Sequence, residues 1–300
     1  MRAQRPVPLC VAATVALLAT VAVQHGSLTA QSSYRLVDDW PHLPDDFEWG
    51  QLPNVTIDHD GNIYAFHRAE PPVLTFSPEG ALRNTWGAGM MVRAHGFRIT
   101  PDGNIFATDQ RGHRVYKFST AGALLLALGE TGVPGEDAEH FNGPADVAVA
   151  PNGDFFVADG HGNNRIVKFA ADGTFITAWG TEGSAPGEFD LPHTVAFDSQ
   201  GRLFVGDRGN HRIQIFDQNG TFIDQWTQFG WPSGIYISPD DTIYVADYQS
   251  KLGITIGSAQ DGTVTGFIEG TEPEGVVVDA LGNVCAGEVG GRMLKKFVKP

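Results

Sequence analysis

Two histidines and one glutamate occupy matching places in the sequence, each near the start of a short apolar segment. His95 follows Ala94, His193 follows Pro192, and Glu274 follows Pro273. Two imidazoles and one carboxylate form a familiar catalytic zinc set that leaves positions open for water or substrate. A lone histidine on a strand is more often a hydrogen-bonded core residue, and Glu274 could instead pair with an arginine. The matching places favour a divalent metal, with zinc expected first.

Six apolar segments of this kind occur along the sequence, and each ends in a turn. A second set of residues lies seven positions beyond each turn: Arg68, Gln110, Gly160, Arg208, Tyr248 and Val289. A guanidinium fork matches a carboxylate in two hydrogen bonds, so Arg68 and Arg208 predict recognition of an anionic substrate group. Salt bridges between repeats are the alternative, and we favour that interpretation for Arg114, Arg165 and Arg212.

His161 lies on a loop between two glycines, at the end of the molecule where the other polar residues are expected. An imidazole above a metal is suited to proton transfer near neutral pH. The alternative is an ordinary solvated loop histidine.

The elements that must position these residues are repeats. Six similar apolar segments each end in a tight turn, at Gly61, Gly103, Gly153, Gly201, Asp241 and Gly282. Further strand-like segments follow each turn, and nothing in the sequence favours a helix. The turns recur roughly every 40 to 50 residues, the period of a four-stranded propeller blade. The sequence therefore predicts an all-β fold, a six-bladed β-propeller of four-stranded blades.

The two ends of the chain are expected to meet. The last repeat stops after its third strand, and residues 34–40 precede the first repeat, so we expect this N-terminal segment to supply the missing strand and close the ring. First strands line the channel of a propeller. His95, His193 and Glu274 would then lie on alternate blades, about 120° apart, and converge on the axis.

Composition limits the partners. The chain has 300 residues and a net charge of −15 at pH 7. Such a field repels phosphate backbones and anionic membranes, so we expect no nucleic acid partner. The 37 glycines and 18 prolines agree with a chain that turns often.

Residues 1–30 resemble a secretory signal peptide. Arg2 and Arg5 precede an apolar run from Val11 to Val23, and Ala30 ends the segment. We expect a secreted or periplasmic monomer without a membrane anchor after cleavage, with residues 31–300 as one propeller domain; an uncleaved anchor is the alternative. Cys285 would then be the only thiol, so no intramolecular disulfide is expected.

Several phrases carry a family resemblance. The segments 157–169 and 205–216 resemble NHL repeats, named after an Asn-His-Leu signature. Nearly the whole remaining chain resembles the bacterial relatives of peptidyl-alpha-hydroxyglycine alpha-amidating lyase, through Phe66-His-Arg68, Ala94-His-Gly96, Gly143-Pro-Ala-Asp146, Leu191-Pro-His193 and Pro273-Glu-Gly275.

The resemblance implies cleavage of a carbinolamide, N–C(OH), into an amide and an aldehyde acid without a redox cofactor. It implies zinc bound by three histidines, two of which match His95 and His193, while the third falls on Glu274. It also implies that Arg68 and Arg208 hold the substrate carboxylate. His161, at the place of the family's catalytic tyrosine, would take the hydroxyl proton and return one to nitrogen.

Two departures affect these expectations. The family's cysteine pairs are absent, and Gly275 replaces an acidic residue that helps to hold a structural calcium, so we do not expect that calcium here. The alternatives are a metal-dependent hydrolase of the lactonase kind and a non-catalytic NHL scaffold. The partner expected for the enzyme is a small anionic or peptide-like substrate.

Overall fold

The computed structural model describes residues 1, 34–44 and 46–299. The expected signal peptide, residues 1–30, lies outside this part of the chain except for its first residue. All regular elements between residues 34 and 299 are strands. None of the described residues belongs to a helix long and apolar enough to cross a membrane.

From residue 34 onward, a short strand comes first, and three antiparallel sheets follow, each built from four consecutive strands. We call each sheet a blade. The first strand is β1 (Arg35–Leu36), and blade 1 consists of β2 (Asn54–Ile57), β3 (Ile63–Phe66), β4 (Val73–Phe76) and β5 (Leu82–Trp86). Blade 2 consists of β6 (Ala94–Ile99), β7 (Ile105–Asp109), β8 (Arg114–Phe118) and β9 (Leu124–Leu128). Blade 3 consists of β10 (Pro144–Val149), β11 (Phe155–Asp159), β12 (Arg165–Phe169) and β13 (Phe175–Trp179).

The second half of the chain repeats the pattern. Blade 4 consists of β14 (Pro192–Phe197), β15 (Leu203–Asp207), β16 (Arg212–Phe216) and β17 (Phe222–Trp226). Blade 5 consists of β18 (Gly234–Ile237), β19 (Thr242–Asp247), β20 (Gly253–Ser258) and β21 (Val264–Ile268). Blade 6 has only three strands from this end of the chain: β22 (Pro273–Val278), β23 (Val284–Glu288) and β24 (Met293–Val298).

Strand β1 completes blade 6. It pairs antiparallel with β24, and the registers are Arg35 with Val298 and Leu36 with Phe297. The sheet order is β1-β24-β23-β22, so the two ends of the chain share one blade. Each first strand contacts the first strands of both neighbouring blades, which closes the ring. The six-bladed fold and its closure by the N-terminal strand are confirmed.

The core is divided among the junctions between blades. Each of six clusters of buried apolar side chains is filled by two neighbouring blades, and Phe156, Phe189 and Phe216 belong to the cluster between blades 3 and 4. The first three strands of a blade are mostly buried, whereas the fourth is largely exposed, as in β5. Burial of the first strands on every side holds the residues at their ends rigidly around the axis.

The turns after the first strands need a left-handed backbone. Gly153 has φ +89°, and glycine adopts this conformation without steric cost. In blade 5 the equivalent residue is Asp241, with φ +60°. Its carboxylate accepts hydrogen bonds from the Ser199 backbone N–H and hydroxyl at 2.8 and 2.7 Å, which helps to hold a non-glycine residue in this conformation.

Candidate metal centre

Irregularities in strand pairing place the predicted ligands. In blade 4 the pairing register shifts between Pro192 and Thr194, so His193 has no partner on β15. The same shift leaves Glu274 unpaired in blade 6, and a wider shift in blade 2 covers His95. A β-bulge bends the strand and redirects the side chain of the extra residue. All three side chains are buried and converge at one end of the channel.

Hydrogen bonds to the backbone fix the orientation of two imidazoles. The Nδ1 atom of His95 lies 2.8 Å from the Ala145 carbonyl oxygen, and Nδ1 of His193 lies 2.7 Å from the Ser233 carbonyl oxygen. A carbonyl oxygen only accepts, so each Nδ1 carries the proton and each neutral ring presents a lone pair at Nε2. Metal-binding histidines usually donate such a hydrogen bond from the ring nitrogen that does not bind the metal.

Glu274 faces both of these lone pairs. Its Oε1 atom lies 3.2 Å from Nε2 of His95 and 3.7 Å from Nε2 of His193. Ligand atoms of a tetrahedral zinc ion are about 3.3 Å apart, given zinc bonds of about 2.0–2.2 Å. Three acceptor atoms at such distances repel one another unless a cation or proton lies among them. The donor set and its spacing therefore fit a divalent metal.

His161 joins this group from a loop of blade 3. Its Nε2 atom lies 2.8 Å from Nε2 of His95, and the potential ligand atoms of His95, His161 and His193 all lie within 4.8 Å of one another. The loop approaches closely because neighbouring glycines leave no side chains in the way; a Cβ on Gly143 would come within 2.7 Å of His161. The sequence predicts His161 above a metal site, and the structure brings its ring within hydrogen-bond distance of His95.

Burial and neighbouring charges shift the protonation of these groups. Burial, with His95 and Arg208 next in importance, holds the pKa of His161 well below its ordinary value. Burial and Arg208 do the same to the pKa of His193. Burial alone would raise the pKa of Glu274, but the contact with His95 and the positive charges of Arg68 and Arg208 outweigh it and lower that pKa. Neutral rings at His161 and His193 beside an ionised Glu274 are protonation states that bind a metal.

The two predicted arginines lie at the same centre. Arg208 donates from Nη1 to Nε2 of His193 at 2.8 Å, and its guanidinium lies over the Tyr248 ring at 5.2 Å. Arg68 Nη2 lies 3.7 Å from Glu274 Oε1, and burial is the largest cause of its lowered pKa. Glu274 thus pairs with an arginine, as one of the two interpretations predicted, and it also faces the imidazoles.

The centre contains contacts that the sequence did not predict. Gln51 accepts a hydrogen bond from Arg68, and Gln110 accepts one from Arg93. Gln110 and Tyr248 belong to the second set of equivalent positions, so that repeat position was the signal available for them. Arg93 and Gln51 lie outside both sets, and no repeat pattern marks them.

The predicted salt bridges between blades are wrong in their location. Arg165 pairs with Asp159 at 3.0 Å and Arg212 pairs with Asp207 at 2.7 Å, in each case within one blade. The reason is that strand pairing sets each of these residues almost opposite its aspartate on the neighbouring strand. Arg114 instead donates to the Thr131 hydroxyl.

A buried ion pair lies along the channel beyond the histidines. Arg98 donates to Asp146 at 3.1 and 2.6 Å and to the Ile235 carbonyl oxygen at 3.1 Å. A guanidinium therefore already neutralises these oxygens. Gly275, next to Glu274, has no room for a side chain, because a Cβ there would lie 2.7 Å from the Asn54 Cα. Gly275 therefore supplies no carboxylate for the calcium site that the family resemblance implies.

A separate cavity of about 1540 Å³ opens at the other end of the channel, among the turns after the first strands. Two of its aspartates are engaged in their own turns: Asp58 accepts from the backbone of Asn62, and Asp279 accepts from that of Asn283. The cavity contains none of the histidines of the centre. Despite its size, the cavity therefore lacks the converging donor groups that mark the opposite end of the channel as the candidate site.

Comparison with known proteins agrees with the repeat pattern. The NHL repeat family matches residues 141–169 and 189–216. Human NHL repeat-containing protein 3 is 32% identical over 90% of this chain and 85% of its own length. Peptidyl-glycine alpha-amidating monooxygenase A of Xenopus laevis is 35% identical over 58% of this chain, but the match covers 23% of that protein. This chain thus spans about a quarter of the length of such relatives.

Other relatives carry a lyase name or share the fold. Probable peptidyl-alpha-hydroxyglycine alpha-amidating lyase of Caenorhabditis elegans is 34% identical over 54% of both chains. Among solved structures, a gluconolactonase from Xanthomonas campestris has a TM-score of 0.68 at 13% identity, covering 92% of this chain and 93% of its own. Virginiamycin B lyase from Staphylococcus aureus has a TM-score of 0.61 at 16% identity, covering 88% and 84%. These structural matches show the propeller fold alone.

Proposed function

Because the chain belongs to the family of NHL-repeat β-propellers that includes NHL repeat-containing protein 3, with homologues named as alpha-hydroxyglycine amidating lyases, we propose that its histidine centre is the active site of a metal-dependent lyase. The substrate is a carbinolamide of the alpha-hydroxyglycine type. Its C–N bond breaks to give an amide and an aldehyde acid. The reaction takes place outside the cytoplasm if residues 1–30 direct export.

One observation carries this proposal: the Nε2 atoms of His95 and His193 and the Oε1 atom of Glu274 face one another as acceptors, with Arg68 and Arg208 beside them. These three residues would hold the metal, with zinc expected from the two nitrogen donors. A bound divalent ion would supply Lewis acidity, which favours ionisation of a substrate hydroxyl.

His161 handles the proton. Its Nε2 atom faces the centre, and burial among positive groups keeps the ring neutral, so it can receive the hydroxyl proton. As the carbonyl forms, the C–N bond breaks and its electron pair goes to nitrogen. Nitrogen then takes a proton, for which the protonated His161 is the nearby source. Substrate and products contain the same atoms, so neither water nor an oxidant is consumed.

The arginines orient the substrate. Arg208 and Arg68 lie on either side of the donor set, through their contacts with His193 and Glu274. A substrate carboxylate matches a guanidinium fork, and it would fix the carbinol carbon near His161. The same positive groups stabilise negative charge that develops on the hydroxyl oxygen.

The experiment is a metal analysis combined with turnover of alpha-hydroxyhippurate. We expect about one divalent ion per chain and release of glyoxylate together with benzamide. Chelation should abolish release, and zinc should restore it. Metal-replete protein that releases no glyoxylate would overturn the proposal. Activity on lactones alone would favour the hydrolase, and a stable protein without metal would favour the scaffold.

A further inference from the structure

Two guanidinium groups at the mouth of the centre share one uncharged acceptor. Arg68 Nη1 donates to Gln51 Oε1 at 3.0 Å, and Arg93 Nη2 lies 3.4 Å from the same oxygen. Arg93 also donates from Nε to Gln110 Oε1 at 2.9 Å. The amide oxygens orient the two cations but carry no charge. Arg68 has a carboxylate nearby, with its Nη2 3.7 Å from Glu274 Oε1, whereas Arg93 has none among the described residues. Like charges held this closely are stabilised when an anion binds between them.

Several arginines elsewhere in the molecule have acidic partners. Four partly or fully buried ones each pair with an aspartate: Arg98, Arg165, Arg202 and Arg212. Across residues 34–44 and 46–299, neither Arg93 nor Arg208 forms an ion pair with a carboxylate. The chain carries 35 acidic residues, so acidic partners are not scarce. Arg93 and Arg208 thus place positive charge without a carboxylate partner at this mouth. Arg114, also partly buried, has no such partner either, but it donates to the Thr131 hydroxyl instead.

Arg111 adds to the same field. Burial is the main cause of the lowered pKa of Arg68, and Arg93 and Arg111 both contribute to it, which places their charges near Arg68. Arg111 is exposed, whereas Arg93 is partly buried and held by two glutamines. Arg93 is thus the preorganised member of the pair, and a bound anion would not need to order it.

We propose that Arg93 and Arg68 form a second anion-binding subsite beside the metal centre, and that the preferred substrate is a carbinolamide with two carboxylates. The first carboxylate belongs to the alpha-hydroxyglycine unit and binds near Arg208. The second lies in the acyl part of the substrate. The identity of the reacting group rests on the proposed function, whereas the second subsite rests on the contacts of Arg93. Arg93 determines specificity and takes no part in bond breaking.

Binding tests the subsite without chemistry. N-succinylglycine and N-butyrylglycine have acyl chains of equal length, and only the first carries a second carboxylate; neither has a carbinol to cleave. We expect calorimetry on the metal-replete protein to show about 10-fold tighter binding of N-succinylglycine, because a charge-assisted hydrogen bond is involved. Arg93→Gln should remove this preference and leave binding of N-butyrylglycine within about twofold.

The matched control is Arg83→Gln, which removes one exposed positive charge from the outer strand of blade 1. It should keep the preference, and a similar loss in this variant would mean that net charge alone is responsible. Arg93→Lys keeps the charge but not the fork, so it should restore part of the preference. Equal binding of both ligands by the wild type would overturn the second subsite.

Turnover separates this inference from the proposed function. With N-succinyl- and N-butyryl-alpha-hydroxyglycine, Arg93→Gln should raise KM about 10-fold for the first compound only and leave kcat unchanged. If neither compound is cleaved but the binding preference is present, the lyase proposal fails and the subsite stands. If both are cleaved with equal KM, and Arg93→Gln changes nothing, the lyase stands and the subsite fails.

Discussion

The Nε2 atoms of His95 and His161 lie 2.8 Å apart, although one residue belongs to the first strand of blade 2 and the other to a loop of blade 3. The proton of His95 is on Nδ1, where the Ala145 carbonyl accepts it. Nε2 of His95 is therefore a lone pair that needs a donor or a metal. His161 either donates a hydrogen bond to this lone pair or binds the same metal as His95. The two roles predict different metal contents when the His161 side chain is removed.

We expect His161→Ala to keep a stoichiometric metal and to lose at least 100-fold in turnover, the usual range for a proton-transfer residue. His95→Ala and His193→Ala should lose the metal itself, because each removes a ligand held by a backbone carbonyl. Metal analysis of the purified variants and glyoxylate release measure the two effects.

His211→Ala is the control for this series. Its ring stacks on Trp231 at 3.9 Å and takes no part in the cluster. It should retain both metal and turnover. We expect Glu274→Gln to lose the metal. Loss of metal in His161→Ala would contradict the proton-transfer role and make His161 a ligand, and in that case Glu274→Gln should keep the metal.

The ion pair of Arg98 and Asp146 should stabilise the ring, because it joins several blades on the axis. Arg98 bonds to Asp146 in blade 3 and to the Ile235 carbonyl in blade 5, and Asp146 accepts from the Thr194 hydroxyl at 2.9 Å. Arg98→Met leaves the buried carboxylate unpaired, so we expect it to lower the free energy of unfolding by about 3–5 kcal/mol. Chemical denaturation measures this.

A double-mutant cycle completes that prediction. Asp146→Asn alone should also destabilise the fold, since it leaves the guanidinium without its charged partner. The double variant should lose clearly less than the two single losses combined, because the unpaired charge is then gone. Strict additivity would show that the two residues do not stabilise the ring as a pair.

The repeat made the ring predictable from the sequence. Equivalent turns fixed the number of blades, and the incomplete last repeat predicted that residues 34–40 would complete blade 6, as β1 does. Stacking the repeats also selected His95, His193 and Glu274, because equivalent positions in a propeller lie at equal distances from the axis. Local sequence and repeat position were sufficient for these features.

Two features of the site depended on tertiary contacts and escaped prediction. The bulges that redirect His193 and Glu274 are changes in pairing between strands, which no single segment specifies. The contact of Gln51 with Arg93 joins the segment before blade 1 to the start of blade 2, and it depends on how neighbouring blades pack. Neither Gln51 nor Arg93 falls on a repeated position, so stacking the repeats could not select them.

Cys285 should be inert in the folded protein. The side chain is 1% exposed, and burial raises its pKa to about 12. The ordinary value is about 8.5, so the thiolate fraction near pH 8 falls about 1000-fold, and burial slows the reaction further. We expect no rapid reaction with Ellman's reagent in the native state and one thiol per mature chain in denaturant. A rapid native reaction would have one of two sources: Cys10, if the signal is not cleaved, or Cys285, if blade 6 opens. The mass of the chain shows whether residues 1–30 are present and so separates the two.

Asp247 should make the stability depend on pH through the turn that carries Tyr248. Its carboxylate accepts hydrogen bonds from the backbone of Trp231, Gln249, Ser250 and Lys251 and from the Ser250 hydroxyl. Burial acts to raise its pKa, but these donors outweigh burial and lower it. A carboxyl with a lowered pKa in the folded state stabilises the fold above its ordinary pKa of about 3.9, and this contribution is lost as the pH falls through the folded-state pKa.

Asp247→Asn keeps the size of the side chain but turns an amide NH₂ toward backbone N–H groups. We expect it to lower the free energy of unfolding by about 2 kcal/mol at pH 7, from hydrogen bonds to a charged acceptor. The difference from the wild type should shrink as the pH falls through the lowered folded-state pKa, because the wild-type carboxyl then also becomes protonated. Denaturant unfolding at pH 7 and at acidic pH measures it, and Asp261→Asn, an exposed site, is the control. A loss of equal size at both pH values would show that shape and not charge holds this turn.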